Sequence, residues 1–287
     1  MNNLNMLVDK LVVASRRQYR QPEEGVVWPE SFPVDAWAFS PEWLSLYGTP
    51  IYETLDLPTQ QKLSFYETVN FFSLNVHGEK HLVESLTSFL YRESLKEYTP
   101  YLHHFVDEEN KHMMYFGGFC GRYAKGLYPE RSFKVSRTYL PGEEEFLAFA
   151  QILIFEEIVD QYNTNMAKDG RLPQVVRDIN DLHHREEARH LAFGRAVVEQ
   201  LYRTYLGQWS AECIEGVRSQ LQGFLLQTWK NFYNPSIYKD SGIADPWTVA
   251  LMAWDHPAAK ERRRKITGHA LTTLNSIGLF APNSLEV

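Results

Sequence analysis

His183-His184-Arg185-Glu186-Glu187-Ala188-Arg189-His190 lies within residues 173–205, a segment whose apolar residues recur every three or four positions. Val176, Ile179, His183, Glu187, His190, Gly194, Val197 and Leu201 share one stripe. Such a stripe is the core-facing side of an amphipathic helix. His183, Glu187 and His190 therefore sit on three consecutive turns of a face that should be buried. Acids and imidazoles are costly to bury alone, so their presence there demands a compensating group.

Three more segments repeat the pattern. A first long helix is expected from Leu57, with Pro58 in its first turn, to about Tyr91; Glu79 falls among Phe72, Val76, Leu82 and Leu86. A second runs from Thr99-Pro100 to Lys125-Gly126, and its stripe reads Tyr101, Phe105, Glu109, His112, Phe116, Phe119 and Tyr123. A third opens on Glu143-Glu144-Glu145, acids that suit a helix N-terminus, and ends near Asp169-Gly170. Glu156 lies on its stripe with Phe149, Ile152 and Val159; Glu157, with Ala150, Leu153 and Ile154, is the close competitor. Further helices are expected over residues 3–19, 209–231, 246–254 and 256–277, with residues 133–140 the sole extended candidate. The fold class is all-α: a four-helix bundle with flanking helices. We divide the chain into an N-terminal helix and irregular flank, residues 1–56, and a helical bundle, residues 57–287, within one structural domain.

Composition limits the function classes. The 287 residues carry a formal charge of −7, which argues against nucleic acid as the main partner. No run of apolar residues is long enough for a membrane span, and residues 1–19 do not read as a secretory signal, so a cytoplasmic protein is expected. Two cysteines cannot supply a disulfide framework.

Four carboxylates on four core-facing stripes, two of them in Glu-x-x-His spacing, explain one another if they hold two metal ions. Bridging oxygens balance the cations, and imidazoles take the outer positions. Glu-x-x-His alone is a weak signal; its placement on two buried stripes opposite two further acids is the strong one. Glu108, Glu157 and Glu186 read as neighbours that orient the ligands or as surface charges. His103, His104 and His184 lie beside the stripes, and His77 and His81 flank Glu79.

These residues resemble the ferritin-like di-iron N-oxygenases typified by p-aminobenzoate N-oxygenase. The family pattern is Glu, then Asp-Glu-x-x-His about thirty residues on, a later Glu, and His-x-x-x-Glu-x-x-His. Here it is matched by Glu79, Glu108-Glu109-Asn110-Lys111-His112, Glu156, and the His183 to His190 stretch, with Glu108 in place of Asp. The resemblance implies Glu79, Glu109, Glu156 and Glu187 as terminal or bridging carboxylates and His112, His183 and His190 as imidazole ligands. It implies two iron ions (manganese as an alternative), O₂ as co-substrate, a peroxo di-iron intermediate and an amine oxidised to hydroxylamine, nitroso or nitro product. The amine is an arylamine or is derived from an amino acid, free or carried on a protein, and electrons come from an external reductase. A homodimer is expected. For substrate contacts we single out Arg262 and Arg264 in the basic run 260–265, and Phe105 and Phe116 as cavity walls. The rival readings are a di-iron oxidase acting on C–H bonds, a ribonucleotide-reductase-like radical protein using Tyr115 or Tyr162, and an iron-storage protein.

Overall fold

The structure, a computed structural model, describes residues 3–130 and 138–281. Helices and short 3-10 turns are its only regular elements among these residues. Helix α1 (Asn3–Arg17) leads into a stretch interrupted by one short helix, α2 (Pro50–Thr54). The four long helices follow: α3 (Leu57–Phe89), α4 (Thr99–Tyr123), α5 (Glu143–Lys168) and α6 (Gln174–Tyr205). They pair most extensively as α3 with α4 and α5 with α6. Beyond them lie α7 (Ala211–Phe232), α8 (Pro235–Asp240), α9 (Pro246–Asp255), α10 (Pro257–Ala270) and α11 (Thr272–Ser276). No described helix is long and apolar enough to cross a membrane.

Local chemistry sets the helix ends. Asp56 caps α3 by accepting from the Thr59 N–H at 3.0 Å, and Pro58 occupies the first turn. Thr99, expected as the cap of α4, is already helical; its hydroxyl accepts instead from the Tyr91 N–H. The single helix expected over 256–277 is two. The Thr272 hydroxyl donates to the His269 carbonyl, and α10 ends at Ala270. Helices α2 and α8 were not anticipated, because five or six residues are too few to show a period. The extended segment expected over 133–140 lies largely outside the described residues.

Gly142 precedes α5 with φ +73°, a left-handed conformation that favours glycine. A Cβ there would stand 2.2 Å from the Tyr205 ring at the far end of α6. Gly142→Ala should therefore cost about 2–3 kcal/mol, combining backbone strain with overpacking. A melting point lowered by several degrees in thermal denaturation checks this; an unchanged one would show that the α5–α6 junction yields.

Candidate metal centre

The bundle brings the seven stripe residues together in its interior. Glu79, Glu109, His112, His183 and Glu187 are completely buried, and Glu156 and His190 nearly so. Their ligand atoms form interlocking groups: Glu109, His112, Glu187 and His190; Glu79, His112 and His183; Glu156, His183 and Glu187; Glu79, Glu109 and Glu156. Within each group all lie within 4.8 Å of one another. His190 Nδ1 is 2.7 Å from Glu187 and 2.8 Å from Glu109, and His112 Nδ1 is 3.0 Å from Glu109. His183 Nε2 is 3.1 Å from Glu79.

The outer face of each imidazole is held. Glu186, on α6, takes His112 Nε2 of α4 at 3.0 Å; Glu108, on α4, takes His190 Nε2 of α6 at 2.8 Å. The two helices thus orient each other's histidines crosswise. Each outer acid has its own cation: Arg189 donates to Glu108 at 2.8 Å, and the Lys111 ammonium stands 3.4 Å from Glu186. His183 Nδ1 meets the side-chain amide of Asn163, itself buried, at 2.5 Å. Phe105 stacks on His190 with centroids 4.0 Å apart, and Phe116 meets His183 edge-on at 5.0 Å.

Carboxylates packed this closely carry unresolved charge. Burial pushes Glu156 well above the usual carboxylate range, and Glu187 and Glu109 beside it push the same way. Burial opposes the charge on His112, but Glu109, Glu186 and Glu187 prevail and raise it to about 10. Glu109 goes down to about 2, because His190 and His112 outweigh its burial. His183 drops to about 4 through burial and the charge on His112. Buried carboxylate oxygens of Glu79, Glu109, Glu187 and, for both atoms, Glu156 have no hydrogen-bond partner. Orphaned oxygens facing imidazole nitrogens are what a pair of divalent cations would satisfy, so the donor set fits the metal pair.

Other expectations change. Glu157 turns away, pairing with Arg195 at 2.6 Å and His269 at 3.3 Å, so only Glu156 joins the cluster. His77 contacts the Tyr128 carbonyl, His81 pairs with Glu130, and His184 with Asp160. Phe105 and Phe116, expected as cavity walls, pack on imidazoles instead. Arg264 is exposed and paired with Glu261 at 2.8 Å. Its neighbour Arg263 is the buried one, stacked 3.9 Å over Trp254 and bonded to the Tyr233 hydroxyl. Arg262 and Arg263 line a narrow cleft with Phe39, Trp43, Glu67 and Tyr162, with a cavity volume of about 20 Å³. Lys111, Arg189 and Asn163 were missed. The first two were legible as a repeated Glu-Glu-x-(Lys or Arg)-His, at 108–112 and 186–190.

Residues 2–278 match the family described as p-aminobenzoate N-oxygenase AurF. The chain belongs to this family. The family is one of di-iron oxygenases and oxidases, and the cluster between α3, α4, α5 and α6 supplies residues that could hold such a metal pair. Solved structures similar to this AurF-family chain include an R2-like ligand-binding oxidase with aerobically reconstituted Mn/Fe cofactor. It shares 12% identity over 92% of each chain, with a TM-score of 0.52. A tyrosine-to-phenylalanine variant of an R2-like ligand-binding oxidase, with the same kind of cofactor, shares 13% over 92% of this chain and 93% of that one, TM-score 0.52. An R2-like ligand-binding oxidase from Sulfolobus acidocaldarius shares 16% over 98% and 94%, TM-score 0.49. The first two show a common fold. Among curated proteins, no match to the chain is found.

Proposed function

We propose that this AurF-family protein is an amine N-oxygenase whose two iron ions are held by Glu79, Glu109, His112, Glu156, His183, Glu187 and His190. The observation that carries the reading is His183, a third imidazole one turn before Glu187 that faces Glu79 inside the cluster. The family match over nearly the whole chain supports it.

When bound, the metal pair supplies two-electron activation of O₂. The chain's residues supply the rest. Glu108 and Glu186 hold the outer nitrogens of His190 and His112, which points each Nδ1 lone pair inward. Phe105 and Phe116 pack on the imidazoles of His190 and His183, with Phe72 behind Phe116, and would exclude water from them. The overall reaction balances as an amine, O₂, two electrons and two protons giving a hydroxylamine and water; further rounds give nitroso and nitro products. The amine is an arylamine or an amino-acid derivative, free or carrier-bound, and the electrons come from an external reductase.

The test is product analysis under labelled O₂. Anaerobically iron-loaded protein is given 4-aminobenzoate and a panel of amino acids, then ¹⁸O₂ and reductant. Label in N–O products supports the reading. Label in C–OH products alone would transfer the protein to C–H oxidation. A lasting tyrosyl radical without product would place it with the radical proteins.

A further inference from the structure

Among the described residues, two of the seven cluster residues have contacts that lead outward to exposed side chains: His190 by hydrogen bonds throughout, and His112 by hydrogen bonds to the buried Lys111 and then a cation–π contact. His183 ends at the fully buried Asn163. The His112 path continues through Glu186 at 3.0 Å to Lys111 at 3.4 Å, whose ammonium lies 5.1 Å from the Tyr19 ring centroid. The His190 path continues through Glu108 and Arg189, each step 2.8 Å, to the side chain of Gln18. Two paths that start on different helices thus surface at adjacent residues, Gln18 and Tyr19, just past the end of α1. Lys111 and Arg189 are themselves buried, while Tyr19 is 50% exposed.

The surface at this point has a definite sign. Residues 16–20 read Arg-Arg-Gln-Tyr-Arg, three positive charges and no negative one, in a chain of net charge −7. All five side chains are exposed. Among the described residues Arg16, Arg17 and Arg20 make no ion pair within 4 Å, whereas Lys111 and Arg189 beneath them are balanced by Glu186 and Glu108, so the charge of this face comes from the three arginines. Electron transfer slows steeply with distance, so a donor is most effective where the bonded path to the metals is shortest. Opposite charge steers such an encounter and raises its rate at low salt.

We infer that the C-terminal end of α1, residues 16–20, is the docking face for a small acidic one-electron carrier, and that Tyr19–Lys111–Glu186–His112 and Gln18–Arg189–Glu108–His190 connect that face to the metal centre. Each encounter would oxidise the carrier by one electron and pass that electron inward, and two encounters would supply the two electrons that the oxygenase reaction consumes. The inference rests on the oxygenase reading only in requiring an external reductant.

Binding is measured first on the metal-free chain, by calorimetric titration with a plant-type [2Fe–2S] ferredoxin and with flavodoxin, both acidic carriers. At least one should bind at 20 mM salt and lose about tenfold in affinity by 200 mM. The triple variant Arg16→Glu/Arg17→Glu/Arg20→Glu should lose at least tenfold at low salt while keeping the wild-type melting point. On the iron-loaded protein, the same variant should slow reduction by the carrier at least tenfold yet leave reduction by dithionite unchanged. Equal binding by wild type and triple variant, or no binding of either carrier at 20 mM salt, overturns the proposal. If carriers bind and reduce at this face but no amine is oxidised, the docking face stands and the N-oxygenase reading falls.

Discussion

Glu156→Gln will lower bound iron from two per chain to one or fewer and slow amine oxidation on the order of 100-fold or more, while making the metal-free protein more stable at pH 8. The two effects have opposite sign for one reason. Glu156 is buried with both oxygens unpartnered, and Glu187 and Glu109 beside it add like charge. Without metal, ionising it is costly, so its folded-state affinity for a proton lies above that of the unfolded chain. Such a group favours the fold below pH ~4.5 and loses that contribution as pH rises. Glutamine keeps the shape and removes the titration. The melting point of metal-free Glu156→Gln should thus exceed wild type by several degrees at pH 8 and match it near pH 4.5. Iron analysis and calorimetry on the same preparations decide the matter. Glu157→Gln is the control: it loses the pair with Arg195 and should keep both metals. A Glu156→Gln protein that retains two irons would remove this residue from the centre.

The gap in melting temperature between metal-loaded and metal-free protein will widen by on the order of 10 °C from pH 5.5 to 8.5. His112 is raised to about 10, so its stabilisation of the metal-free fold is complete below about pH 6.5 and is lost as pH rises through about 10. Glu156 acts in the same direction. Glu109, lowered to about 2, stabilises above about pH 4.5 and loses that contribution only as pH falls through about 2, outside the window. Metal loading needs the carboxylates ionised and the imidazoles neutral, so it releases protons and strengthens as pH rises. Glu67, raised to about 7 by burial despite its bonds from Ser45, also weakens the fold with rising pH. It lies in the Arg262–Arg263 cleft and not in the cluster, so it acts on both forms and cancels from the gap. Calorimetric scans with and without iron across this range measure the gap. A gap independent of pH would mean that the cluster binds no metal through titrating groups.

Rotation about a helix axis separates what could be read early from what could not. Adjacent residues differ by about 100°, so Glu156 and Glu157 both fall near an apolar stripe, and periodicity ranks them only weakly. Packing of α5 on α6 decides, because it puts Arg195 within 2.6 Å of Glu157. Arg263 and Arg264 pose the same problem on α10, where a single step in sequence separates a fully buried guanidinium from an exposed one. Phe105 and Phe116 were correctly placed on the inner face, but what they touch there is set by neighbouring helices.

Spacing along each helix is enough to read the four long helices, their buried faces and six of the seven polar residues those faces carry; the seventh, Glu156, is separated from Glu157 only by packing. The crosswise pairing of Glu108 with His190 and Glu186 with His112 depends on how α4 and α6 are aligned along each other. The meeting of both paths at Gln18 and Tyr19 depends on where α1 lies across them. Neither is legible along one helix, since the register between helices comes from the packing of many side chains at once and leaves no period in any one of them.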